Sequence, residues 1–145
     1  MSNFKERLDE FLIENNLSKN QLSKIIGVRP DTIYGYYRKN LFPEIHIAKN
    51  IANYFKCSLD YLFGVSDQIN NSDKNQLSFA ETIKKLIKDN HKSVEKTMKE
   101  LNISDRTYYR WQSGESQPLT SIIITLAKYF DVSVDYIIGN MIDEK

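Results

Sequence analysis

The feature that most restricts what this chain can fold into is an ungapped internal repeat. Phe4 to Gly64 lies over Phe79 to Gly139 with an offset of 75 residues at both ends (79 less 4, 139 less 64). Identical pairs include Phe4/Phe79, Asn15/Asn90, Ser18/Ser93, Thr32/Thr107, Pro43/Pro118 and Ala52/Ala127. They are densest in Tyr54-Phe55/Tyr129-Phe130 and Ser58-x-Asp60-Tyr61/Ser133-x-Asp135-Tyr136. Elsewhere character survives without identity, as in Leu8/Ile83, Phe11/Leu86, Ile26/Leu101, Tyr36/Trp111 and Ile51/Leu126. A shared apolar pattern under divergent surfaces is how two copies of one fold drift apart. The 145 residues are therefore read as two small domains, 1–64 and 79–141, with a linker at 65–78 and a short tail at 142–145.

The linker, Val65 to Ser78, is mostly small and polar. As a flexible coil it would span about 20 Å on average and roughly 45 Å when stretched. That reach could place two modules on neighbouring turns of a duplex, about 34 Å apart.

Each copy reads as five short helices. Phe4, Leu8, Phe11 and Leu12 recur at helical spacing over Phe4 to Asn15, and Phe79, Ile83, Leu86 and Ile87 repeat the pattern. Ser18 and Ser93 suit the N-cap of a second helix, since a serine oxygen accepts from the free amides of the first turn. Gly27 and Asn102 stand where that helix must leave through a left-handed residue. Pro30 fits the first turn of a third helix, where no amide partner is lost. Pro43 and Pro118 break the chain before a fourth, and Ser58 and Ser133 cap a fifth. Nothing alternates for long enough to make a sheet.

Composition closes off other classes. Hydrophobic residues make up 41% and charged residues 27%, as in ordinary soluble domains. No apolar run approaches the roughly 20 residues a membrane helix needs, and Met1 to Glu6 opens with a charged amphipathic pattern rather than a leader, so a cytoplasmic location is expected. The single cysteine, Cys57, cannot close an internal disulfide and reads as a small core residue. His46 and His91 lie too far apart in sequence to suggest a zinc cluster, so no metal or other cofactor is expected. The net charge is +1, but it is unevenly placed: Lys19, Lys24, Arg29, Arg38 and Lys39 face only Asp31 between Lys19 and Lys39, whereas Asn40 to Gly64 is balanced. A basic stretch on an otherwise neutral domain suits a duplex-binding surface.

Copy one carries Leu17-Ser18-x-x-Gln21-Leu22-Ser23-x-x-Ile26-Gly27-Val28-x-x-x-Thr32-Ile33, then Pro43, then Ile51-Ala52-x-x-Phe55-x-Cys57-Ser58-Leu59-Asp60-Tyr61-Leu62. Copy two carries Ser93-x-x-x-Thr97, Leu101-x-Ile103-Ser104-x-x-Thr107, Trp111-x-x-Gly114, Pro118 and Leu126-Ala127-x-x-Phe130-x-Val132-Ser133-Val134-Asp135-Tyr136-Ile137. On these residues the chain resembles the Cro and phage-repressor (XRE-like) helix-turn-helix proteins over nearly all of both copies. The resemblance implies an all-α protein of two tandem five-helix lambda-repressor-like domains that regulates transcription, in the simplest case by occupying a promoter. A major groove admits one helix, braced by the one before it. Residues 18–26 and 93–101 would brace, and residues of about 30–38 and 105–112 would enter the groove.

By the same resemblance, bases would be read by Asp105, Arg106 and Arg110, with Thr107 beside them. Arginine suits this role because its fork can bond guanine O6 and N7 together. Copy one departs from the pattern, since Pro30, Asp31 and Gly35 offer little reach toward a base edge. Its contacts would fall to Asp31, Thr32 and Tyr34, with Arg29 beside them, or this copy binds protein instead. Phosphate contacts are expected at helix N-termini and after the groove helix: Ser18, Lys19, Arg29, Arg38, Lys39 and Asn40 in copy one, and Ser93, Lys96, Ser113, Ser116 and Gln117 in copy two. Tyr36, aligned with Trp111, reads as core, and Tyr34 and Tyr37 as exposed.

Catalysis is not expected, because the chain offers no nucleophile with a base, no metal set and no phosphate-binding glycine loop. The rival reading is a protein-interaction module, antirepressor or antitoxin-like, on the same fold. Double-stranded DNA is the expected partner, with no membrane and no small-molecule ligand evident. The apolar ends at Phe63, Ile138 and Met141 are candidates for pairing copies into a homodimer.

Overall fold

A computed structural model describes residues 4–70 and 74–139, which fall into two compact units, 4–70 and 74–139. Every regular element in the described residues is helical. The first unit contains α1 (Phe4–Glu14), α2 (Lys19–Ile26), α3 (Pro30–Lys39), α4 (Ile45–Phe55) and α5 (Leu59–Leu62). The second contains α6 (Phe79–Asp89), α7 (Val94–Leu101), α8 (Asp105–Ser113), α9 (Thr120–Phe130) and α10 (Val134–Ile138).

The local signals sit where the helices start and stop. Ser18 and Gln21 form a reciprocal capping box, the serine oxygen accepting from the Gln21 amide at 3.0 Å and the Gln21 side chain accepting from Ser18 N–H at 2.8 Å. Ser93, Ser58 and Ser133 cap α7, α5 and α10 in the same way on one side. Gly27 (φ 77°) and Asn102 (φ 60°) end α2 and α7 in the left-handed region. These caps satisfy amides and carbonyls that a helix end otherwise leaves unpaired.

The two cores are built at equivalent positions with different volumes. Leu8, Leu22, Ile33, Ile51 and Leu62 are fully buried in the first unit, and Ile83, Thr97, Tyr108, Leu126 and Ile137 replace them, all buried, in the second. Thr97 is smaller than Leu22, while Tyr108 is larger than Ile33 and Met98 larger than Ser23. Losses at one site are thus offset next door, as cores tolerate when total volume is kept. The hydroxyls buried at these two positions are satisfied: Ser23 donates to Asn20 O at 2.6 Å and Thr97 to Ser93 O at 2.9 Å. The aromatic pair that closes α1 on α3 recurs on α6 and α8. Phe4 meets Tyr36 edge-on at 5.6 Å and 73°, and Phe79 meets Trp111 at 5.5 Å and 73°.

Two expectations need correction. Phe63 and Ile138 are each only 3% exposed, and Phe63 is held by edge contacts with Phe4 and Phe42; neither offers a face for pairing between chains. A short helix at a domain end has no other core to join, so its apolar residues turn inward. Met141 lies outside the described residues. Cys57, the single cysteine, is half-buried rather than core.

The segments between the units are tied to the nearer helices. Val65 and Ser66 amides donate to Asp60 O, and Ser58 N–H donates to Ile69 O at 2.7 Å. Asn75 Nδ2 donates to Thr82 Oγ1 at 2.7 Å and Tyr136 O at 2.9 Å, and Ser78 with Glu81 makes a capping box for α6. Among the described residues, no helix is long and apolar enough to cross a membrane and no cluster could hold a metal ion.

Candidate nucleic-acid interface

In each unit a short helix is packed against the helix that follows it, α2 on α3 and α7 on α8. The buried residues of α8, Tyr108 and Trp111, fix which way it faces. Asp105, Arg106, Tyr109 and Ser113 are exposed on the rest of its surface, and Arg110 is partly so. Arg106, Tyr109, Arg110 and Ser113 follow the i, i+3, i+4, i+7 spacing that shares one helix face.

Arg106, in the first turn, is exposed and makes no ion pair or hydrogen bond among the described residues. Arg110 Nε lies 3.5 Å from Glu115 Oε2, with the arginine side chain 43% exposed. Both groups are therefore wet, and the pair is a weak one that a stronger acceptor can displace. Thr107 is half-buried and committed locally: its amide donates to Ser104 Oγ at 3.2 Å and its hydroxyl lies 2.9 Å from the same atom. Ser113 Oγ donates to Arg110 O at 3.2 Å and accepts from the Glu115 amide at 3.3 Å, while the Ser116 amide donates to Arg110 O. Gln117 is exposed. Ser93 Oγ accepts from Lys96 N–H at 3.0 Å and sits exposed at the positive end of α7, where an anion is favoured. The Lys96 side chain is exposed beside it.

Copy one presents a different chemistry. Asp31 and Arg29 sit largely in solvent 3.9 Å apart, Thr32 is half-buried, and Tyr34 is exposed at the position equivalent to Tyr109. Ser18 carries the α2 cap. Lys19 Nζ lies 4.1 Å from the Tyr37 ring centroid and 5.5 Å from that of Tyr34. The Tyr37 hydroxyl donates to Asp9 Oδ1 at 2.7 Å, which leaves Tyr37 half-buried rather than exposed as expected. Burial first, then the Asp9 hydrogen bond and charge, hold Tyr37 protonated well above the ordinary tyrosine range. Arg38, Lys39 and Asn40 are all exposed where α3 ends, with Asn40 left-handed (φ 54°) and its amide donating to Tyr36 O.

Tyr109 was not singled out from sequence as a contact, although it is 52% exposed and Tyr34 38%. The signal was there, because both are tyrosine at the same repeat position. Copy one thus offers mostly positive charge, while copy two offers arginine forks on the exposed face of the second of its paired helices.

Residues 7–68 match the family described as the Cro/C1-type helix-turn-helix DNA-binding domain, and residues 83–137 match a family described as helix-turn-helix. No curated protein and no solved structure matches the chain.

Proposed function

The chain belongs to the Cro/C1-type helix-turn-helix proteins, a family of DNA-binding regulators, and from that premise we propose that it binds a specific double-stranded sequence with α8 as its principal reading helix. The observation that carries this reading is the exposed Arg106 and Arg110 one turn apart on a helix braced by α7. Two such forks can each take a guanine edge, at about 1–3 kcal/mol of discrimination apiece. Copy one then acts mainly as an electrostatic clamp: Lys19, Arg29, Arg38 and Lys39 meet phosphates, and Gly35 with Tyr34 lets the α3 backbone approach the duplex. Repression follows from occupancy, since a protein seated over a promoter excludes polymerase.

Selection of bound duplexes from a random pool at near-physiological salt tests the reading. Two enriched half-sites are expected if both copies read bases, and one if α8 reads alone. An unenriched pool would overturn the proposal in favour of a protein-binding module.

A second reading applies to copy one only. Leu41 is 54% exposed and Phe42 37%, just beyond the helix that carries exposed Tyr34, and exposed apolar and aromatic residues beside basic ones suit a protein partner. On this reading α3 meets protein while α8 holds DNA.

A further inference from the structure

The two domains differ where the first, second and third helices of each copy meet. In copy one this place is closed by three side chains: Tyr37 of α3 donates to Asp9 of α1, and Lys19 of α2 lies over the Tyr37 ring. Copy two has Gln112, Lys84 and Val94 at those positions. Lys84 cannot accept a hydrogen bond, Val94 brings no cation, and Gln112 Nε2 is drawn off to Ala80 O at 2.8 Å. The closure is undone, and an open groove of about 510 Å³ remains, with Ile87, Val94, Tyr108 and Tyr109 in its lining and Lys84 and Lys88 on α6.

Those lysines stand one turn apart on α6, where like charges repel. Their neighbours are provided for, Lys85 by Asp89 at 2.8 Å and Lys92 by Glu100 at 3.0 Å. Lys84 and Lys88 make no ion pair or hydrogen bond among the described residues, so an anion placed between them would relieve the repulsion. The volume lies within the range of small-molecule sites, about 300–1,000 Å³. From Lys84 to Lys88 is only about 6 Å along the helix, too short for a docked amphipathic helix, whose anchors extend over two turns.

We propose that this groove in the second domain binds a small amphiphilic carboxylate, its apolar body against Ile87, Val94 and Tyr108 and its head between Lys84 and Lys88. Tyr108, Tyr109 and Gln112 belong to α8, so the ligand would touch the helix assigned to base reading. Binding itself does not depend on that assignment, and the test below uses no DNA.

The full chain, labelled with ¹⁵N, is titrated with hexanoate, octanoate and decanoate below micelle-forming concentrations, and with the alcohols of equal length. Saturable shifts of the Ile87, Val94 and Tyr109 amides are expected. Affinity should rise with chain length, and the alcohols should bind about ten-fold more weakly for want of a charged head. The variant K84A/K88A should erase the difference between acid and alcohol. The variant K84D/V94K/Q112Y, which installs the copy-one closure, should abolish the shifts while keeping the melting temperature. An absence of saturable shifts, equal affinity for acid and alcohol in the unmodified chain, a preference for the acid that survives K84A/K88A, or shifts that survive K84D/V94K/Q112Y would overturn the proposal.

Discussion

The guanidinium carbon of Arg7 lies 3.8 Å from the centroid of the Tyr61 ring. From that seat its Nη2 donates to Ser66 O at 3.1 Å and Asp67 Oδ1 at 3.0 Å. The side chain is nearly buried, with its Nε unpaired, so its aromatic stacking and the Ser66 carbonyl must offset the cost of burying the charge. The same repeat positions, Thr82 and Tyr136, anchor the segment before the second domain through Asn75. One repeat site thus fastens the connecting chain on both sides, by a cation in copy one and by an amide in copy two.

Arg7→Ala is therefore expected to destabilise the first domain by about 2 kcal/mol, and Arg7→Lys to recover less than half, because an ammonium lacks the planar stack and fork. Native-state hydrogen exchange of the α1 and α5 amides in the full chain would measure both. Asp67→Asn should change little, since its side chain is fully exposed.

Two glycines should respond in opposite directions to alanine. A Cβ on Gly35 meets nothing within 4 Å, so Gly35→Ala is expected to stabilise α3 by about 1 kcal/mol through helix propensity. If the duplex backbone approaches there, the same variant should weaken DNA binding despite the gain. A Cβ on Gly139 would sit 2.1 Å from Leu77 O, at φ +55°. Gly139→Ala should cost the second domain about 2–3 kcal/mol, read by urea denaturation.

Tyr36 should make the first domain alkali-sensitive. Burial, with help from the Glu44 charge, pushes its hydroxyl up to about 12. A raised folded value means this contribution is intact below the ordinary tyrosine value of about 10 and is lost as pH climbs toward about 12. The loss approaches about 1.4 kcal/mol per pH unit, and Tyr37 tilts the same way. The Tyr36 hydroxyl has no hydrogen-bond partner among the described groups, so Tyr36→Phe should be neutral to stabilising at pH 7, by up to about 1 kcal/mol. It should also flatten the alkaline loss, as thermal melts from pH 8 to 11 would record.

For the DNA reading, Arg106→Ala is expected to cost about 1–3 kcal/mol on the preferred duplex and relax specificity at one base pair. Arg38→Ala with Lys39→Ala should weaken all duplexes alike and lower the salt slope by about 2. Fluorescence anisotropy across a salt series separates the two. Arg106→Ala without loss of specificity would remove α8 as the reader.

The sequence by itself determined the repeat, the helix count per copy and where most helices begin, because a serine capping an amide three residues on, or a glycine leaving a helix left-handed, is chemistry complete within a few residues. It also placed Tyr36 and Trp111 in equivalent cores, since apolar spacing reports burial. Only the tertiary structure decided the destinations that depend on a remote partner. Phe63 and Ile138 turned inward, Arg7 stacked on a ring far along the chain, and Tyr37 reached Asp9 while Gln112 turned to Ala80. The groove beside α8 exists because of that last difference. A long polar side chain chooses among acceptors that only the packing of α6 against α8 brings within reach.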